Sequence, residues 1–373
     1  MKGSLVRFFL LIGLIIIIMG PAFGQLPQLK TTYQDYFYIG TALNRGQIFN
    51  QDTMAANVII SQFNSITPEN ILKWYAVHPE PDRYDFEASD QLVAFGKENN
   101  MFVVGHTLVW HAQTPRWVFR DSSDAALDRE TLLARMKDHI FTVAGRYKGQ
   151  IHGWDVVNEA LDDNGQLRKG PWMDIIGPDY IQEAFAYARD ADPDAELYYN
   201  DYNMYKSGKV EGVVQLVRSL QEKGIRVDGI GFQGHWGFDY PAIEELEASI
   251  VAYAELGAKV MITELDISAL PNPWSYRGAD IAKRFALQQK LNPYPDGLPD
   301  SVQTQLAERY AALFALFVKH REKISRVTFW GVHDAQSWKN NFPVRGRTDY
   351  PLLFDRSCRP KPAFFAVIKS ARK

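Results

Sequence analysis

The chain has one cysteine, Cys358, in 373 residues, so an internal disulfide framework is impossible. No cysteine follows the N-terminal apolar stretch either, which excludes a lipid anchor at a new N-terminal Cys. Charge of one sign is scarce: 41 Lys and Arg face 44 Asp and Glu, a net of −3. A mildly acidic chain makes a poor partner for a polyanion, so no nucleic-acid partner is expected. There is no Pro/Gly/Ser linker, low-complexity tract or repeat to mark a second domain or an array. Gly-x-Ser-x-Gly, a Walker loop and a dinucleotide fingerprint are all absent, as is Asn-x-Ser/Thr. His106 and His111 lack a third ligand at metal spacing, so neither a metal nor a cofactor is expected.

Long hydrophobic runs are equally rare. The one candidate, residues 8–19, follows Lys2 and Arg7 and ends in the small-residue exit Ala22-Phe23-Gly24. It falls short of the roughly 20 residues of a spanning helix. Its layout is that of a secretory signal peptide, removed after about residue 24, rather than a membrane anchor. Residues 25–373 would then form a secreted protein, extracellular or periplasmic, with no membrane contact after cleavage, and monomeric. Losing Lys2 and Arg7 takes the net charge to −5.

What remains is rich in apolar and aromatic residues, 46% and 13%, with nine Trp. That is enough for a large core, and Trp in a secreted protein also suits packing against the CH faces of sugar rings. Eight short apolar runs recur at wide spacing: 37–43, 62–67, 102–109, 151–158, 196–200, 229–233, 259–263 and 327–332. Their unbroken apolar character fits strands buried on both faces. Helical periodicity lies between them at 90–99, 131–147, 210–223, 243–256 and 303–321. Strand and helix alternating eight times predicts a single-domain α/β fold, the (β/α)8 TIM barrel. One connection is long, from Asp266 to Ser301; it holds a helix-like piece at 279–290 and would rim the active face if it follows strand seven.

In such a barrel, chemistry sits at the C-terminal ends of the strands. The predicted exits carry Glu69, Asn70 and Lys73; His106, Trp110 and Gln113; Asn158 and Glu159; Asn200 through Asn203; Gln233 and His235; Glu264 and Asp266; and Trp330 and Trp338. Any one of these has an ordinary structural explanation, a salt bridge or a satisfied core histidine. Their concentration at one rim does not. Glu159 and Glu264 leave strands four and seven, so their carboxyl groups can converge over the barrel mouth. Two facing carboxylates are what glycoside hydrolysis requires: one protonates the departing oxygen, the other attacks the anomeric carbon or activates water.

GHTLVWH at 105–111, WDVVNEA at 154–160, GFQGHW at 231–236, ITELDI at 262–267 and TFWGVHD at 328–334 together resemble family 10 of the glycoside hydrolases, the endo-β-1,4-xylanases. ENILKW at 69–74 resembles that family's segment after strand two. The resemblance runs from about residue 35 to the C-terminus and implies retaining hydrolysis of xylan and xylo-oligosaccharides. It implies Glu159 as general acid/base, Glu264 as nucleophile, and His235, held by Asp266, as support for the nucleophile. It implies substrate contacts from Glu69, Asn70, Lys73, His106, Trp110, Gln113, Asn158, Gln233, His235, Trp330 and Trp338, and leaving-side contacts from Tyr202 and Asn203. A β-1,4-glucanase of mixed specificity and a non-catalytic xylan-binding barrel are the alternatives.

Overall fold

The computed structural model describes residues 26–273 and 277–371; the expected signal peptide lies outside them. Eight parallel strands close a barrel: β1 Tyr38–Leu43, β2 Ser65–Pro68, β3 Phe102–Trp110, β4 Gly153–Asn158, β5 Glu196–Asp201, β6 Gly229–Phe232, β7 Lys259–Ile267 and β8 Ile324–Phe329. Each pairs in parallel with its neighbour, and β8 returns to β1 through Ile39 opposite Val327. A two-residue strand, His235–Trp236, extends β6 along β7 and sets His235 opposite Asp266.

The strands are buried nearly throughout because both faces are covered. All six residues of β4 are buried, as are all but the first of β3 and β7. The lower interior is filled by Val104, Tyr198 and Met261. Glycines admit the largest rings: a Cβ on Gly153 would stand 2.2 Å from the Tyr198 hydroxyl, and one on Gly105 would stand 2.1 Å from the Trp154 ring. A methyl group at either site would displace a buried aromatic and cost on the order of 1–3 kcal/mol.

Among the described residues, eight helices of nine or more residues wrap the barrel: α1 Thr53–Gln62, α2 Glu87–Glu98, α3 Arg129–Arg146, α4 Tyr180–Ala191, α5 Ser207–Glu222, α6 Ile243–Ala254, α7 Asp300–Lys319 and α8 Pro362–Ser370. Several begin two or three residues before the periodic apolar stripe. These first turns carry few large apolar side chains, so apolar spacing does not register them. At α3 the start is set by Asp128, whose carboxylate accepts from Thr131 N at 2.7 Å, a cap worth about 1 kcal/mol. Two strand expectations also shift. Gln62 closes α1 instead of opening β2, and β8 ends at Phe329, leaving Trp330 in the loop above it.

The connection after β7 corrects one expectation. Residues 279–290 form no α-helix; the segment is turn and extended chain with a short 3-10 turn at Gln289–Leu291. An isolated helix of that length is marginal in water, and contacts elsewhere win. Phe285 N donates to Pro343 O at 3.0 Å, Phe285 bridges to Val344, and Ala279 is buried. Among the described residues, no helix is long and apolar enough to cross a membrane.

Candidate active site

At the C-terminal end of the barrel lies a cavity of about 420 Å³. Its wall contains Glu69, Asn70, Lys73, His106, Trp110, Gln113, Asn158, Glu159, Gln233, His235, Glu264, Trp330 and Trp338, together with Ala279, Ile281 and Arg284 from the loop after β7. All but two of the residues expected to touch the sugar or act on it directly therefore meet in one place. Tyr202 and Asn203, the expected leaving-side contacts, are the exceptions. Tyr202 is buried beside the cavity, its hydroxyl accepting from Arg168 Nη2 at 2.8 Å. Its neighbour Asn203 donates to the Asp163 carboxylate at 3.1 Å. Asp266 sits one layer behind the wall.

The two glutamates are delivered differently. Glu159 stands one residue past the end of β4 with φ 56°, a left-handed conformation that costs a branched-Cβ-free residue on the order of 1 kcal/mol. The turn is held on both sides: Glu159 N donates to Asn200 O at 2.9 Å, and Arg168 Nε donates to Glu159 O at 3.0 Å. Glu264 lies inside β7 itself, on the same side as Asp266 two residues on, as strand alternation requires.

Amide side chains link the carboxylates. Gln233 Nε2 donates to Glu159 Oε1 at 2.8 Å, and Asn158 Nδ2 approaches the same oxygen at 3.3 Å. Asn200 Nδ2 donates to Glu264 Oε1 at 2.8 Å and to Asn158 Oδ1 at 3.0 Å, while Thr263 Oγ1 donates to Asn200 Oδ1 at 2.6 Å. The other oxygen of Glu264 lies 3.0 Å from His235 Nε2. His235 Nδ1 lies 3.0 Å from Asp266 Oδ1, and Trp338 Nε1 donates to Asp266 Oδ2 at 2.7 Å. Lys73 Nζ donates to Asn70 Oδ1 at 3.0 Å and stands 5.0 Å from the centre of the Trp110 ring. His106 Nδ1 is 2.8 Å from Asp155 Oδ2.

These surroundings drive the two carboxyl groups in opposite directions. Burial raises the Glu159 pKa, and the nearby charge of Glu264 adds to the rise; the Gln233 hydrogen bond only partly offsets them. Burial acts on Glu264 too, but the His235 hydrogen bond and the charges of His106, His235 and Lys73 outweigh it, so its pKa falls. His235 is itself raised: burial opposes its charge, but Asp266 and Glu264 favour it more strongly. The arrangement favours the protonated form of Glu159 and the ionised form of Glu264.

Three participants carry no sign in the primary structure beyond their position. Asn200, next to last in β5, is fully buried and bonds both to Glu264 and to Asn158, the neighbour of Glu159. His111, pushed down to about 4 by burial and by Arg168, lies 3.9 Å from Glu159 Oε2. Lys339 is buried 3.6 Å from Asp266 Oδ1. A buried amide at a strand exit was the only available signal for Asn200. Nothing in composition or spacing points to Lys339. Among the described residues, no cluster of three or more His, Cys, Asp or Glu is arranged to hold a metal.

The same barrel and motifs occur in known proteins. Endo-1,4-beta-xylanase A of Xylanibacter ruminicola is 46% identical over 358 residues, which cover 96% of this chain and 97% of that one. The structure of a GH10 endoxylanase retrieved from a sugarcane soil metagenome is 43% identical and superposes with a TM-score of 0.88, covering 91% of this chain and 99% of the other. A mutant structure in complex with xylotriose is 38% identical, with a TM-score of 0.81 over 92% of this chain and 99% of the other. The model of Glycosyl hydrolase family 10 matches residues 28–370, nearly the whole chain, and the protein belongs to that family.

Proposed function

We propose that the protein is a retaining endo-1,4-β-xylanase that cleaves internal β-1,4 links of xylan, with Glu159 as acid/base and Glu264 as nucleophile. The observation that carries the assignment is the opposite displacement of two buried carboxyl groups in one cavity. In the first step, Glu264 attacks the anomeric carbon and Glu159 gives its proton to the departing oxygen. A glycosyl-enzyme forms, and the charge on Glu264 disappears. The Glu159 pKa then drops, because one cause of its rise is gone, and the carboxylate takes a proton from the incoming water. Water attacks the same carbon from the side the leaving group vacated, and the β configuration returns.

The remaining residues take positions around that chemistry. Asn158 would bond the sugar 2-hydroxyl, a contact that strengthens in the transition state. Glu69, Asn70, Lys73, His106, Gln113 and Gln233 would bind hydroxyls on the non-reducing side, between walls formed by Trp110, Trp330 and Trp338. Trp338 would crowd the space that the CH₂OH of glucose needs, favouring xylose. Tyr202 and Asn203 would meet the leaving-side sugars. The xylanase names of the relatives and the xylotriose bound to one of them support this substrate class.

The test is hydrolysis of a xylo-oligosaccharide followed by proton NMR. Retention predicts that the new reducing end appears first as the β anomer and then mutarotates. An initial α signal would remove the double displacement, and a preference for carboxymethyl-cellulose over xylan would remove the substrate assignment.

A further inference from the structure

The loop between β7 and α7 contributes Ala279, Ile281 and Arg284 to the wall around Glu159 and Glu264. Its place is fixed by main-chain contacts, Phe285 N to Pro343 O at 3.0 Å and the bridge from Phe285 to Val344. The Arg284 guanidinium lies over the Phe342 ring, 5.3 Å from its centre, and Phe342 stacks on Trp338 at 4.5 Å and 16°. An exposed cation is thus seated on the aromatic pile that walls the cleft.

Its donors are divided. Nη1 bonds to carbonyls of its own loop, Ile281 O at 2.6 Å and Lys283 O at 3.0 Å. Those bonds use Nη1 and leave the Nε–Nη2 edge without a hydrogen-bond partner among the described residues. That edge has the geometry for two parallel bonds to a carboxylate. Arg284 has no ion-pair partner among the described residues. Lys73, the other basic side chain of the wall outside the histidines, is a different case: it is buried, bonded to Asn70, and faced by the charges of Glu264, Glu69 and Glu159. Its charge is spent within the site. A neutral sugar chain gives no reason to hold a second, unpaired cation at the rim.

We propose that Arg284 binds the carboxylate of a uronic-acid branch carried by the xylan chain, so that the loop after β7 reads substrate charge. The inference rests on the xylanase reading above. An exposed guanidinium–carboxylate pair is modest in water and screened by salt, so the effect should be a preference between substrates.

The test compares glucuronoxylan with the same polymer after reduction of its carboxyl groups to alcohols, which keeps branch size and removes charge. The readout is the ratio of kcat/KM on the acidic polymer to that on the reduced one. Arg284→Ala should lower this ratio roughly threefold to tenfold. Arg284→Lys should restore part of it, and added salt should shrink the wild-type ratio toward that of the Ala variant. An equal effect of Arg284→Ala on both polymers, or none on either, would overturn the proposal. Failure of the wild-type enzyme on both polymers would instead count against the xylanase reading.

Discussion

Glu159 and Glu264 share a cavity, a residue type and near-complete burial, yet one is pushed to keep its proton and the other to lose it. The difference lies in what each touches. Glu159 meets neutral amides, Gln233 and Asn158, and sits at the end of a left-handed turn held through its main chain. Glu264 meets His235, a cation pinned from behind by Asp266, with Lys73 and His106 close enough to act through their charge. Burial alone would have made two weak acids. Charged partners outweigh burial at Glu264, whereas at Glu159 the charge of Arg168 and the hydrogen bonds do not, and the charge on Glu264 adds to the rise of Glu159.

The largest break in that comparison is Glu264→Ala. Without a nucleophile, release of reducing ends from xylan should fall on the order of 10⁴-fold or more. Glu159→Ala should reduce the same rate by roughly 10²–10⁴-fold. Its effect on an aryl xyloside with a good leaving group should be far smaller in the glycosylation step, since little acid help is needed there. Equal losses on both substrates would refute the acid assignment.

Smaller changes sharpen the contrast by moving one pKa at a time. His235→Asn removes the main group that lowers Glu264. The Glu264 pKa then rises, and the acidic limb of the kcat/KM profile moves to higher pH, so activity is lost sooner on acidification. Gln233→Leu removes a hydrogen bond that lowers Glu159. Its pKa then rises further, and the basic limb moves to higher pH. Limbs that move the other way, or together, would show that the two environments are not separate. The Gln233 variant should retain more of its peak rate than the His235 variant, because Asn158 still reaches Glu159 Oε1.

Much of this was legible in the primary structure for physical reasons. Parallel strands covered on both faces leave unbroken apolar runs, so the eight strands of the barrel were readable. Exit positions such as Asn158, Glu159 and His235 follow from where those runs stop. Side chains that act by reaching across the barrel were harder. Asn200 looks like any polar strand end until the ring closes and brings it between Asn158 and Glu264. The segment at 279–290 has helical periodicity, but its partners Pro343 and Val344 are more than fifty residues away in the chain, and local pattern carries no trace of them. Arg284 reaches the cleft wall through that same non-helical path.

The most direct measurement is a ¹³C NMR titration of the glutamate carboxyl carbons in the wild type and in Glu264→Gln. Glu159 should titrate above the ordinary glutamate range and Glu264 below it, and Glu159 should fall when the charge at 264 is removed but stay raised by burial. A Glu264 that titrates above Glu159, or a Glu159 that does not respond to the substitution, would contradict the assignment.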